Sequence, residues 1–252
     1  MKRSKTRSGR PRFILLLLLV SLSMVWLAMA VPEGPTLTYV TNYTKVTAGA
    51  TGPYNNTKGY IHEYAVSITQ INNRWKAFVG NVTATLTLTD NTYSIYAWAM
   101  ASNSTNGVIF TTRNNSINWN YLNCSNASII SAEEYAINIT STQSDSLVNT
   151  FTKTNHTALT VNNKPLSSCP TLYTYVNNSA QSNDYSSNHW QEVMLASNYS
   201  LYSYHTIYAT KLELDYSSFS TGRTYDFQLI VPDYGTTTIT DNIPYYFYVE
   251  LA

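Results

Sequence analysis

Val82-Thr-Ala-Thr-Leu-Thr-Leu-Thr89 and Tyr93-Ser-Ile-Tyr-Ala97, on either side of Asp90-Asn91, carry the clearest structural signal in the chain. Val82, Ala84, Leu86 and Leu88 alternate with Thr83, Thr85, Thr87 and Thr89, and Tyr93, Ile95 and Ala97 resume the alternation after the break. A strand turns its side chains to opposite faces at successive residues, so period two means one apolar and one hydroxyl-bearing face. The pattern predicts a hairpin with a two-residue turn, its apolar face buried and its threonine face in water. Asn81 lies in phase with the threonines.

Working outward, residues 36–47, 60–70 and 75–80 read as strands, with Asn72-Asn73 as a turn. Further strands are expected at 171–176, 190–196, 202–216, 225–231 and 243–251. Pro232-Asp-Tyr-Gly235 marks a turn, and the last two strands are expected to pair as a hairpin. Many short strands separated by turn signals predict a mainly β protein, an antiparallel β-sandwich. Residues 113–170 are the least strand-like and read as an insertion. Within it Ser131-Ala-Glu-Glu134 matches a capping box and predicts a helix over 132–140; 144–151 is a second candidate. The expected organisation is one β-sandwich domain over 60–252, preceded by a strand and polar loop at 31–59.

The N-terminus carries Lys2, Arg3, Lys5, Arg7, Arg10 and Arg12, then an apolar run from Phe13 ending Ala28-Met29-Ala30. A basic flank, an apolar core and a small-x-small exit describe a secretory signal peptide over 1–30, cleaved after Ala30. The alternative is an uncleaved membrane anchor, the only route by which the chain would meet a membrane. Either way the remainder is expected outside the cytoplasm. Of 15 basic residues six precede residue 13, leaving nine against 14 acidic and a net charge of −5. A weakly acidic domain without a Lys/Arg cluster is a poor nucleic-acid binder.

Two cysteines occur, Cys124 and Cys169. In an oxidising compartment they are expected to form one disulfide. Asn-x-Ser/Thr sequons begin at Asn42, Asn55, Asn81, Asn103, Asn114, Asn123, Asn126, Asn138, Asn155, Asn177 and Asn198. Random placement would give roughly six or seven in a chain this rich in Asn, Ser and Thr, so the excess is modest but the exported context suits N-glycosylation. No sequon follows Asn198, whereas the C-terminal strands are the most aromatic. One part of the fold is therefore expected to be sugar-coated and another bare.

The residues that chemistry needs are scattered. His62, His156, His189 and His205 show no metal-ligand spacing, and His156, within a sequon, is expected to face solvent. No Gly-x-Ser-x-Gly, calcium loop or phosphate loop occurs, so no catalytic, cofactor or metal residue is assigned. A carboxylate pair brought together by the fold, from Glu213, Asp215 and Asp226, is the residual route to a secreted hydrolase. Tyr245-Tyr246-Phe247-Tyr248 puts rings on both faces of one strand, and Tyr202, Tyr204 and Tyr208 share a face of another. Such faces are either core or a contact surface.

Arg74-Trp-Lys-Ala-Phe-Val-Gly-Asn-Val-Thr83 with Leu88-Thr-Asp90 and Tyr96-Ala-Trp98, and Thr224-Tyr-Asp-Phe-Gln-Leu-Ile-Val-Pro232 with Pro244-Tyr-Tyr-Phe-Tyr-Val-Glu-Leu251, resemble uncharacterised secreted archaeal β-rich, N-glycosylated cell-surface proteins. The resemblance spans most of 60–252. It implies a surface location and carries over no functional residue.

The leading expectation is an extracellular structural or adhesive glycoprotein, self-associating or bound to other surface proteins. The strand at 36–47 would insert into the sheet edge of a neighbouring copy in a filament or surface layer. The alternatives are a carbohydrate-binding module using surface tyrosines and Trp119 or Trp190, and, less favoured, the hydrolase.

Overall fold

The computed structural model describes residues 72–83, 85–90, 92–99, 107–200, 203–233 and 243–250. The expected signal segment, the strands at 36–47 and 60–70, and the sequons at Asn42, Asn55 and Asn103 lie outside the described residues. Within them the protein is mainly β and antiparallel. In chain order the strands are β1 (Trp75–Gly80), β2 (Thr85–Thr89), β3 (Ser94–Ala99), β4 (Val108–Thr112), β5 (Leu122–Cys124), β6 (Leu159–Val161), β7 (Lys164–Leu166), β8 (Thr171–Tyr173), β9 (Gln191–Ser200), β10 (Ser203–Lys211), β11 (Tyr216–Ser217), β12 (Thr224–Tyr225), β13 (Phe227–Pro232) and β14 (Tyr246–Glu250). Two helices, α1 (Ala127–Ala136) and α2 (Leu147–Thr150), fall between β5 and β6.

The main sheet runs β14-β4-β10-β9-β5, with β8 also paired to β9. Its central strands are buried on both faces, and alternation sorts their side chains into two cores. Ile109, Met194, Tyr208 and Phe247 point to one face, where Leu229 and Val231 of β13, Ile130 of α1 and Ile137 at its C-cap, and Leu147 of α2 and Phe151 at its C-cap pack on them. Val108, Phe110, Val193, Leu195, Ile207 and Ala209 point to the other, covered by Leu159, Val161 and Leu166 of the β6–β7 hairpin together with Leu122 and Cys169. Each fully buried large apolar side chain here contributes about 1.5–3 kcal/mol. β1 and β13 form a separate two-stranded ribbon on the first face, in register from Trp75↔Pro232 to Gly80↔Phe227. Trp75 Nε1 donates to the Asp145 carbonyl at 2.9 Å, and Arg74 pairs with the Asp145 carboxylate, so the turn leading into α2 holds one end of the ribbon.

The expected hairpin forms between β2 and β3, but two details differ. Four residues, not two, separate the pair Thr89↔Ser94, and the Asp90 carboxylate closes the turn by accepting from the Thr92 and Tyr93 amides at 2.9 and 2.7 Å. These amides hold the Asp90 carboxyl below its usual pKa. Nor is the apolar face buried among the described residues: Leu88 is 53% exposed and Ile95 84%. Strand periodicity reports which side chains share a face, and leaves open whether another element covers them.

The expected terminal hairpin is also corrected. β13 pairs with β1, and β14 pairs with β4, so the last two strands lie in different layers. Phe247 instead meets Phe78 of β1 edge-on across the layers, at 5.1 Å between ring centroids. The long strand expected at 202–216 ends at Lys211; β11 is a separate short strand paired with β12. Finally, α1 begins five residues earlier than the capping box implies, at Ala127 instead of residue 132. Ser125 is fixed to β9, with its amide on the Met194 carbonyl and its hydroxyl on the Leu195 carbonyl, both at 3.0 Å. The next residue, Asn126, is the cap and accepts from the Ile129 amide. Ser131 lies exposed inside the helix, and Glu134 accepts from the Val148 amide at the start of α2 instead of reaching back.

Candidate functional site

The sequons are the residues whose placement the fold decides most directly. Asn81, Asn123, Asn126, Asn138, Asn155 and Asn177 are exposed and Asn114 is half-buried. Asn198 lies on β9. None of those seven donates a hydrogen bond from its amide nitrogen. The asparagines whose Nδ2 is engaged are Asn72, Asn149, Asn162 and Asn188, and none of them begins a sequon. Where a sequon asparagine is held, the carbonyl oxygen does the holding: Asn123 accepts from Lys164 Nζ at 2.5 Å, and Asn126 from the Ile129 amide at 3.0 Å. A sugar on Nδ2 leaves that oxygen in place, so cap and glycan are compatible. Asn138 and Asn177 adopt positive φ, 56° and 48°, at turns, a conformation asparagine tolerates better than most residues.

The main sheet has two unlike edges. At one, β5 carries the sequon Asn123 and the disulfide from Cys124 to Cys169, with Cα atoms 4.8 Å apart. At the other lies β14, which has no strand partner beyond β4 among the described residues. It carries no sequon and one ionisable carboxylate, Glu250, which is buried and accepts from the Asn162 amide. Burial raises the pKa of that carboxyl. The aromatic run is mostly anchored: Phe247 is core, Tyr245 donates to the Pro232 carbonyl at 2.6 Å, and Tyr248 packs on Trp119. Tyr246 is 40% exposed.

The candidates for carbohydrate binding and hydrolysis have other occupations. Trp190 is fully buried and donates to the Ser217 carbonyl, and Trp119 is wedged between Phe110 and Tyr248. Tyr208 is fully buried; Tyr202 lies outside the described residues. The fold does bring Glu213, Asp215 and Asp226 to one neighbourhood. Asp226 is a buried brace, accepting from the Asp215 amide at 2.9 Å and the Val82 amide at 2.7 Å. Glu213 meets His189 Nδ1 at 2.9 Å, and the His189 ring stacks on Tyr216 at 3.6 Å. His156, expected in solvent, is buried: its Nε2 accepts from the Cys169 amide and its Nδ1 donates to the Thr157 carbonyl. Burial lowers the pKa of His205, whose Nδ1 lies 3.1 Å from the Ser116 carbonyl. His62 lies outside the described residues. No group of three potential metal ligands occurs among the described residues, and none of their helices is long and apolar enough to cross a membrane.

One residue had no signal in the sequence. Glu192 of β9 is fully buried, and its carboxyl accepts from the Ile230 amide at 2.8 Å, satisfying a backbone donor of β13. Its second oxygen and the hydroxyl of its cross-strand neighbour Thr210 have no protein partner. Desolvation raises the Glu192 pKa well above its ordinary value, and the carboxyl bridges the two layers. Compared with known proteins, the chain matches no family model, no curated protein and no solved structure.

Proposed function

We propose that this protein is an extracellular structural or adhesive glycoprotein of the cell surface, assembled into a filament or layer by strand addition. The observation that carries the reading is the outer edge of β14, a short, aromatic, sequon-free strand without a second partner among the described residues. An unprotected edge offers a row of backbone donors and acceptors to another strand. The donor is the segment at 36–47 of a neighbouring copy. Export by the segment at 1–30 and sugars on the sequons complete the reading.

The test uses the mature chain purified from medium or membrane, with and without residues 31–47. Light scattering and negative-stain electron microscopy are expected to show polymers for the first and folded monomers for the second. Polymers that survive the deletion refute strand exchange; monomers in both refute the structural subunit.

A further inference from the structure

The seven sequons with described surroundings differ at their third position. The motif needs a hydroxyl residue there. Thr83, Ser116, Ser128, Thr140, Thr157 and Ser179 are exposed, whereas Ser125 is buried at 5% exposure. Its hydroxyl donates to the Leu195 carbonyl, and its amide donates to the Met194 carbonyl. The middle residue of the same sequon is Cys124, bonded to Cys169. Asn123 itself lies on β5, opposite Ala196. The asparagine is thus at the surface while the rest of its recognition sequence is locked into the sheet.

We infer that Asn123-Cys124-Ser125 is a modification site open only before β5 docks on β9 and the disulfide closes, so that sugar transfer and oxidation compete for the same three residues. This rests on the glycoprotein reading above. The transfer takes a sugar linked through its C1 to a lipid phosphate or pyrophosphate. Asn123 Nδ2 bonds to C1, the C1–O bond to phosphate breaks, the lipid phosphate leaves, and one amide proton goes to solvent. Once modified, the site accepts the fold: the Asn123 oxygen keeps Lys164, and the sugar projects outward from the exposed side of β5. Once folded and oxidised, the unmodified site is closed, because presenting Ser125 means lifting β5 off β9.

The experiment uses unglycosylated full mature chain, treated with a purified oligosaccharyltransferase and its lipid-linked sugar donor, in two states: folded and oxidised, or reduced and held unfolded. Glycopeptide mass spectrometry reads each site. In the folded state Asn123 occupancy is expected to be about tenfold or more below that of Asn81 and Asn177, since each 1.4 kcal/mol of local opening is a factor of ten. In the unfolded state the three should be comparable. Equal modification of Asn123 and Asn177 in the folded, oxidised protein overturns the ordering and leaves the glycoprotein reading intact. Modification of no sequon in either state overturns both. A Cys169→Ser variant gives the same answer during secretion: occupancy rises at Asn123 alone if the ordering is right, and equally or nowhere if it is wrong.

Discussion

β5 and β14 flank the same sheet from opposite sides, and they differ in length, chemistry and what lies beyond them. β5 has three residues, sits beside β8 on the outer side of β9, is tied covalently through Cys124 and carries a sequon. β14 has five residues, pairs with β4, and presents an exposed tyrosine and an unoccupied backbone edge among the described residues. Natural sheets protect their edges with short strands, charge or cover. β5 is further tied by the disulfide and a sequon, whereas β14 has only its shortness and the inward-facing Glu250, so the difference teaches which edge is held shut and which edge the described residues leave uncovered.

The comparison breaks first if β5 does not depend on its covalent tie. Replacing both Cys124 and Cys169 with Ala should lower the unfolding free energy by about 4 kcal/mol in the chain-entropy account of a loop this long. Denaturant unfolding at matched pH measures it, and a loss under about 1 kcal/mol would place the stability of that edge in β9 pairing alone. Next comes the support beneath β14. A Cβ on Gly107 would run into Leu212 Cδ1 and lie 3.1 Å from the Glu250 carbonyl, and Leu212 is fully buried. Gly107→Ala should cost about 1–3 kcal/mol through overpacking, read as a fall in melting temperature.

The bridge between layers gives a smaller, pH-dependent effect. The Glu192 pKa is higher folded than unfolded, so the folded state binds more protons above the ordinary value of 4.5. Its contribution to stability is therefore intact below that pH and lost as pH rises towards the folded value. Glu192→Gln should flatten the stability profile above pH 4.5 and change neutral-pH stability by no more than about 1 kcal/mol. An unchanged slope in chemical denaturation would show that Glu192 is not the titrating group. Smallest in stability is Tyr246→Lys, expected within about 0.5 kcal/mol because the position is exposed. Yet a lysine on an open edge opposes strand pairing, so light scattering should show assembly weakened. Assembly unaffected by the lysine would move the contact away from β14.

Much of this contrast was legible before any coordinates. Period-two alternation identified β2 and β3, the cysteine pair was right, and the β-branched and aromatic runs marked β9, β10, β13 and β14. What failed was long-range. Alternation cannot say that the Leu88 face stays exposed, because covering depends on elements far along the chain. Adjacency in sequence suggested pairing β13 with β14, whereas Phe247 prefers the facing layer and β4 lies over 130 residues upstream. The Ser131 capping box lost to Asn126 because β9 pins Ser125 and sets where the helix must start. Glu192 was invisible because its only reason to be there is a backbone donor of β13. The sequons were counted correctly, but only the fold separates those whose hydroxyl residue faces water from the one that does not.

The pairing of Cys124 and Ser125 with β9 also sets a clock. Their partners Met194 and Leu195 lie about 70 residues later in the chain, so β5 has nothing to dock on until that much more polypeptide has emerged. At ~5–20 residues per second of synthesis, Asn123 stays accessible for about 4–14 s. Under the modification order proposed above, translation speed across residues 124–195 becomes a control on occupancy at Asn123.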